Sequence, residues 1–177
     1  MKRVRWQALI FLISTFSTLG MAQTRICIGA VSGGDAVTWN VQEPYLKAIM
    51  NEAKARGVPV TTQLLTSNNE KAARSEMSSY KCDFGLITNA SREWPQPKAS
   101  SGINAGGGGG KSDDAPHPSS TARFHHSLLD KSGKRIDKWD SSIEMAQGAT
   151  AKDVDPELKE LIQEVANRVL DETTAQP

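Results

Sequence analysis

The sequence predicts an α/β fold: one mixed five-stranded sheet of order 2-1-3-4-5, built as β-α-β-α-β-β-β-α with three helices. Three observations predict it. Residues 25–90 alternate short β-branched runs with segments of helical period, the pattern of parallel strands joined by right-handed crossovers. Residues 123–143 hold two more strand-like runs on either side of a turn that contains Gly133, an antiparallel hairpin. The chain then ends on an amphipathic helix that needs a sheet to pack against.

The elements follow in order. Arg25 to Val31 (RICIGAV) is rich in β-branched residues and runs into Ser32-Gly33-Gly34-Asp35, a strand leading into a loop. Glu43 to Arg56 reads as a helix, with Leu46, Ile49, Met50 and Ala53 on one face, Pro44 in the first turn and Gly57 just past the end. Val58 to Leu65 is the second strand, and Pro59 places it at a sheet edge. Ser67 with Glu70 fits a capping box for a helix to about Lys81, whose inner face holds Ala73, Met77 and Tyr80. Cys82 to Ala90 is a more buried third strand.

Residues 95–120 break the pattern. They hold six of the 14 glycines and four of the eight prolines, with almost no large apolar side chain. Such a stretch buries too little surface to offset chain ordering, so it reads as a mobile Gly/Pro-rich loop. Arg123 to Asp130 and Arg135 to Ile143 are the hairpin strands, joined through Lys131-Ser132-Gly133-Lys134. Asp155 as N-cap and Pro156 at the first helical position open the last helix, with Leu158, Leu161, Ile162, Val165 and Val169 on its apolar face. The domain is expected to span residues 23–172, with 173–177 a flexible tail.

Residues 1–22 read as a secretory signal peptide. Lys2, Arg3 and Arg5 precede an apolar run from Ala8 to Phe16, and Gly20 and Ala22 are small residues placed for cleavage after Ala22. The run is shorter than the roughly 20 apolar residues of a spanning helix. Removing 22 of the 177 residues leaves 155, and the three positive charges that go with them take the net charge from +1 to −2. The mature chain is therefore expected in the periplasm or outside the cell, without stable membrane insertion. No Cys follows the cleavage site, so no lipid anchor is indicated there. Cys27 and Cys82 remain, and two cysteines in an oxidising compartment most simply form one disulfide.

The charge balance excludes a nucleic-acid binder that runs on bulk positive charge. Ala105-Gly106-Gly107-Gly108-Gly109-Gly110-Lys111-Ser112 mimics a relaxed phosphate loop, yet it lacks the strand before and the helix after that would aim backbone N–H groups at a phosphate. Asp113 and Asp114 beside it repel anions, so no nucleotide and no cofactor is expected. His125 and His126 are adjacent on a strand and point to opposite faces, so they do not chelate one ion together. With His117, they read as solvated surface, and no metal site is predicted. No nucleophile elbow is present. Asp153, Asp155, Glu157 and Glu160 are helix-start charges that the macrodipole explains, so no catalytic residue is assigned. Asn89-Ala90-Ser91 is a formal glycosylation sequon. Gly33 and Gly34, with Asp35, Thr38 and Trp39, line the carboxyl end of the first strand, where open α/β sheets place ligands.

Residues 81–92 (KCDFGLITNASR) place an acidic residue ahead of a strand that exits through small polar residues. With the Gly-rich insertion, the Asp130–Lys134 turn and the amphipathic end helix, the stretch resembles the N-terminal domain of Tol-system β-propeller proteins and the periplasmic domain of curli-secretion-type lipoproteins. The resemblance implies a non-enzymatic envelope domain that binds proteins or assembles. The chain has neither a propeller nor a lipid-anchor Cys, so channel formation and Tol function are not implied. Residues 26–65 also look like the opening unit of sugar-type periplasmic binding proteins, but the length allows only one lobe and excludes a clamshell receptor. The expected function is an exported, non-enzymatic module for protein–protein binding or assembly, with an envelope protein as partner. The alternative is a small-ligand-binding domain that uses the Gly33–Trp39 crevice.

Overall fold

The computed structural model describes residues 23–33, 41–93, 120–146 and 154–175. They form β1 (Thr24–Ile28), α1 (Gln42–Arg56), β2 (Val60–Leu64), α2 (Glu70–Tyr80), β3 (Phe84–Glu93), β4 (Ser120–Asp130), β5 (Arg135–Met145) and α3 (Asp155–Thr174). The sheet order is β2-β1-β3-β4-β5, as the sequence predicts. β1 pairs in parallel with both β2 and β3, while β3, β4 and β5 are antiparallel neighbours. The signal-peptide stretch 1–22 and residues 95–119 of the expected loop lie outside the described residues.

Strand alternation splits the side chains into two layers. Ile26, Ile28, Leu86, Ala90, Phe124, Leu128, Trp139 and Ile143 face α1 and α3 in the main core. Cys27, Ile87 and Leu129 face the other way, against Ala73 and Met77 of α2. Among the described residues, two helices thus cover one face and a single short helix covers part of the other. α2 sits close to the sheet because β3 offers Gly85 beneath it: a Cβ there would lie 2.3 Å from the Met77 sulfur.

The Cys27–Cys82 disulfide is present, with a Cα–Cα distance of 5.8 Å. It ties the middle of β1 to the residue just before the β3 approach, on the α2 side of the sheet. Both cysteines are buried. No helix among the described residues is long and apolar enough to cross a membrane.

Several local expectations are corrected. The buried stripe of α1 is Tyr45, Ile49 and Ala53, whereas Met50 is 47% exposed. The helix is rolled by its second partner: Arg56 of α1 bonds Asp171 and Asn167 of α3, and Gln163 of α3 donates to Glu52. Tyr80 is likewise exposed, so α2 buries only Ala73 and Met77. The N-cap of α2 is Asn69, whose Oδ1 accepts from the Ala72 N–H at 3.0 Å. Ser67 is instead held by Glu76, which also takes the Thr66 N–H and hydroxyl. The cap residue of α3 is Val154, which offers no side-chain acceptor, and Asp155 is already helical. α3 continues through Thr174 with Thr173 buried, two residues past the expected domain end. β3 and β4 run further than their apolar pattern, because the ladder continues from Ser91↔Arg123 to Glu93↔Thr121. There an Arg123–Glu93 ion pair at 3.0 Å and an Arg92-to-Ser120 hydrogen bond at 2.9 Å tie the polar extensions together.

Candidate functional site

The order β2-β1-β3 reverses direction at β1: the chain leaves β1 for one neighbour and returns to the other side. Such a switch point opens a crevice beyond the carboxyl ends of the strands. Here the crevice continues onto the part of the sheet face that no helix among the described residues covers. The resulting cleft has a volume of about 450 Å³ and is lined by residues of six segments. Ser32 extends β1, Asn68 and Asn69 come from the β2–α2 connection, and Glu70 opens α2. Asn89 of β3, His125 and Ser127 of β4, and Arg135 and Lys138 of β5 form its floor and far wall. Alternation puts Asn89, His125, Ser127 and Lys138 on the same sheet face, the one opposite the main core.

One ion pair spans the cleft. Arg135 of β5 donates through Nε at 3.1 Å, and through Nη2, to Glu70 of α2. Arg74 lies 3.9 Å from the same carboxylate. Burial pushes the Glu70 carboxyl up, but hydrogen bonds from Arg135 and Ser127 and the two guanidinium charges outweigh it and hold the group below its usual range. Asn69 spends its carbonyl on the helix cap, and its amide points to Asn68 at 3.4 Å. Lys138 adds a second cation to the wall. Amides, hydroxyls and charges of both signs therefore face the space, with Ile87 as the apolar lining residue.

His125 Nδ1 lies 2.7 Å from Asp140 Oδ1, an oriented imidazole of the kind used in nucleophilic catalysis. Among the described residues, no group of three or more His, Cys, Asp or Glu side chains is placed to hold a metal ion.

The residues singled out from sequence fall as follows. Gly33 is described and exposed, and its lack of a side chain has a packing reason: a Cβ would lie 2.3 Å from the Ala90 carbonyl oxygen. It follows the Ser32↔Asn89 bridge that brings the end of β1 against β3. Gly34, Asp35, Thr38 and Trp39 lie outside the described residues, as do His117 and the Ala105–Ser112 glycine run. Asn89 of the sequon is exposed within β3. His126 corrects the expectation of a solvated histidine. It is fully buried on the main-core side, bonded to the hydroxyls of Thr88 at 3.1 Å and Ser141 at 3.3 Å. Trp139 stacks on it at 4.9 Å and Tyr45 meets it edge-on at 5.9 Å. Burial pushes its imidazole down to about 3, with Asp140 opposing the shift and His125 and Arg168 adding to it.

A second opening lies at the other end of the sheet. Asp140, Ser141, Ser142, Ile143 and Glu144 of β5 face Glu157, Glu160, Leu161 and Glu164 of α3 across a groove of about 420 Å³.

No protein-family model matches the chain, and no curated protein matches it. The chain is similar to several solved structures. One is a PelC dodecamer from Paraburkholderia phytofirmans, at 11% identity over 84% of this chain and 85% of that one, with a TM-score of 0.43. Another is a putative neuraminyllactose-binding hemagglutinin homolog from Helicobacter pylori, at 8% identity over 85% and 83%, TM-score 0.42. A hypothetical protein from Chlamydia trachomatis matches at 9% identity over 85% and 96%, TM-score 0.40. Likeness at this level transfers no residue role to this chain.

Proposed function

We propose that this chain is an exported, non-enzymatic envelope or secreted module that binds a partner protein, and that the half-bare side of its sheet is the recognition surface. The observation that carries the reading is the cleft at the carboxyl ends of β1 and β2. It continues onto a polar sheet face that, among the described residues, one eleven-residue helix covers only in part. The Cys27–Cys82 disulfide supports export, since such bonds persist in oxidising compartments. Affinity-tagged protein, chemically cross-linked in its host, tests the reading against an Asn89→Arg/Ser127→Glu variant with an unchanged melting temperature. The variant is expected to lose a specific partner that the parent retains. Identical partner sets from both would overturn the reading.

A second reading is favoured by the size of the cleft, which falls in the range of roughly 300–1,000 Å³ used by small ligands. On that reading a polar small molecule is expected to raise the melting temperature, and Lys138→Ala is expected to remove the rise. A chain that recognises only protein shows no such rise.

A further inference from the structure

We propose that the outer edge of β5, unpaired among the described residues and flanked by the acidic side of α3, is a docking groove in which an extended Lys/Arg-rich segment of a partner protein adds to the sheet as a sixth strand. It rests on the reading of this chain as a protein-binding module and adds a surface distinct from the cleft.

The edge carries the argument. β5 is eleven residues long and ladders with β4 on one side. On its other side no strand pairs with it among the described residues. A β-strand points half of its N–H and C=O groups to each side, so a long edge presents a row of donors and acceptors at the spacing of a sheet. An incoming extended chain satisfies that row, which is the basis of recognition by strand addition.

Charge then selects the chain that enters. The groove beside the edge is lined on its helix side by three carboxylates of α3, Glu157, Glu160 and Glu164; Asp140 and Glu144 of β5 point by alternation to the opposite face of the sheet, where Asp140 holds His125. No Lys or Arg is among its lining residues. Arg168, the nearby cation of α3, is committed to Asp137 through hydrogen bonds of 2.8 and 3.2 Å and lies over the Trp139 ring. Acidic side chains on an edge also keep copies of this chain apart. The same field that refuses a second acidic edge attracts a basic strand, and it does so more strongly at low salt. Leu161 and Ile143 give the floor an apolar strip for the aliphatic stems of lysine or arginine.

The test uses the full-length, disulfide-bonded protein and a ten-residue peptide of alternating Lys and Thr, with a Glu–Thr peptide of the same length as control. Amide hydrogen exchange across residues 135–145 is read with and without peptide at low ionic strength, alongside a binding titration. The expected result is slowed exchange in β5 with the Lys–Thr peptide alone. Glu157→Lys/Glu160→Lys/Glu164→Lys is expected to weaken binding at least roughly tenfold, the scale of losing several close charge contacts. The Asn89→Arg/Ser127→Glu variant is expected to bind the peptide unchanged, which separates this groove from the cleft. Equal binding of both peptides, an unaffected β5, or undiminished binding by the triple variant would overturn the proposal. Protection produced by calcium chloride alone would assign the groove to a cation. Protection that follows protein concentration without peptide would assign it to a second copy. Either result would also overturn it.

Discussion

Lowering the pH from 7 to 5 should destabilise this protein chiefly through one residue, His126. An unfolded histidine takes up a proton near pH 6.5. In the folded chain the His126 imidazole is surrounded by Tyr45, Phe124 and Trp139, and its affinity for a proton falls to about 3. Below pH 6.5 the unfolded state therefore binds a proton that the folded state refuses. The contribution of the neutral imidazole is fully present above that pH and is lost progressively towards pH 3. Linkage over that gap gives about 2 kcal/mol between pH 7 and pH 5. For a chain of this size that is a fall in melting temperature of roughly 4–8 °C. The carboxylates held below their usual range, Asp130 and Asp137 among them, contribute stability that is present above about pH 4 and lost only below it. They do not obscure the window. Urea unfolding at pH 7, 6 and 5 measures the slope in the parent and in His126→Gln, whose amide can still meet the Thr88 and Ser141 hydroxyls. The variant starts less stable but should lose most of the slope. Parallel slopes in the two proteins would refute the burial argument.

Three further outcomes follow from packing and covalent structure. Reducing the disulfide, or replacing Cys27 and Cys82 by Ala together, opens a loop of 55 residues and should cost about 4 kcal/mol, read as a drop of roughly 8–16 °C in a thermal melt. Gly85→Ala forces a methyl towards the Met77 sulfur and should cost roughly 1–3 kcal/mol; adding Met77→Ala should be much less than additive in a double-mutant cycle. Asp130 Oδ1 accepts from the Ser132 N–H, the Ser132 hydroxyl and the Lys134 N–H, so Asp130→Ala should loosen the β4–β5 turn by about 1–2 kcal/mol in denaturant unfolding.

The backbone plan was readable because it rests on local signals. Strand–helix alternation, the Gly133 turn and the period of residues 158–169 each specify an element without knowledge of its neighbours. The order β2-β1-β3 then put Cys27 and Cys82 within reach of each other. What escaped depends on partners far away in sequence. Glu70 meets Arg135 across 65 positions, so the wall of the cleft has no local signature. The stripe of α1 turned to Tyr45 because α3 takes its other flank, which no period within residues 42–56 encodes. His126 was legible in retrospect. Phe124, His126 and Leu128 share one face of β4 by alternation, and a histidine between two buried apolar residues sits in the core with them. Asn69 won the α2 cap from Ser67 because Glu76 had already taken Ser67, again a contact beyond the reach of the capping pattern.

The central claim is that the cleft on the α2 side of the sheet, and not the exposed face of α1, is a recognition surface. Photo-cross-linking in the producing cell tests it most directly, with a benzophenone amino acid placed singly at Asn89 and Lys138 in the cleft and at Lys47 and Lys54 on the exposed face of α1. The account predicts one discrete adduct of constant mass from both cleft positions and none from the helix. Adducts from Lys47 and Lys54, with Asn89 and Lys138 silent, would contradict it.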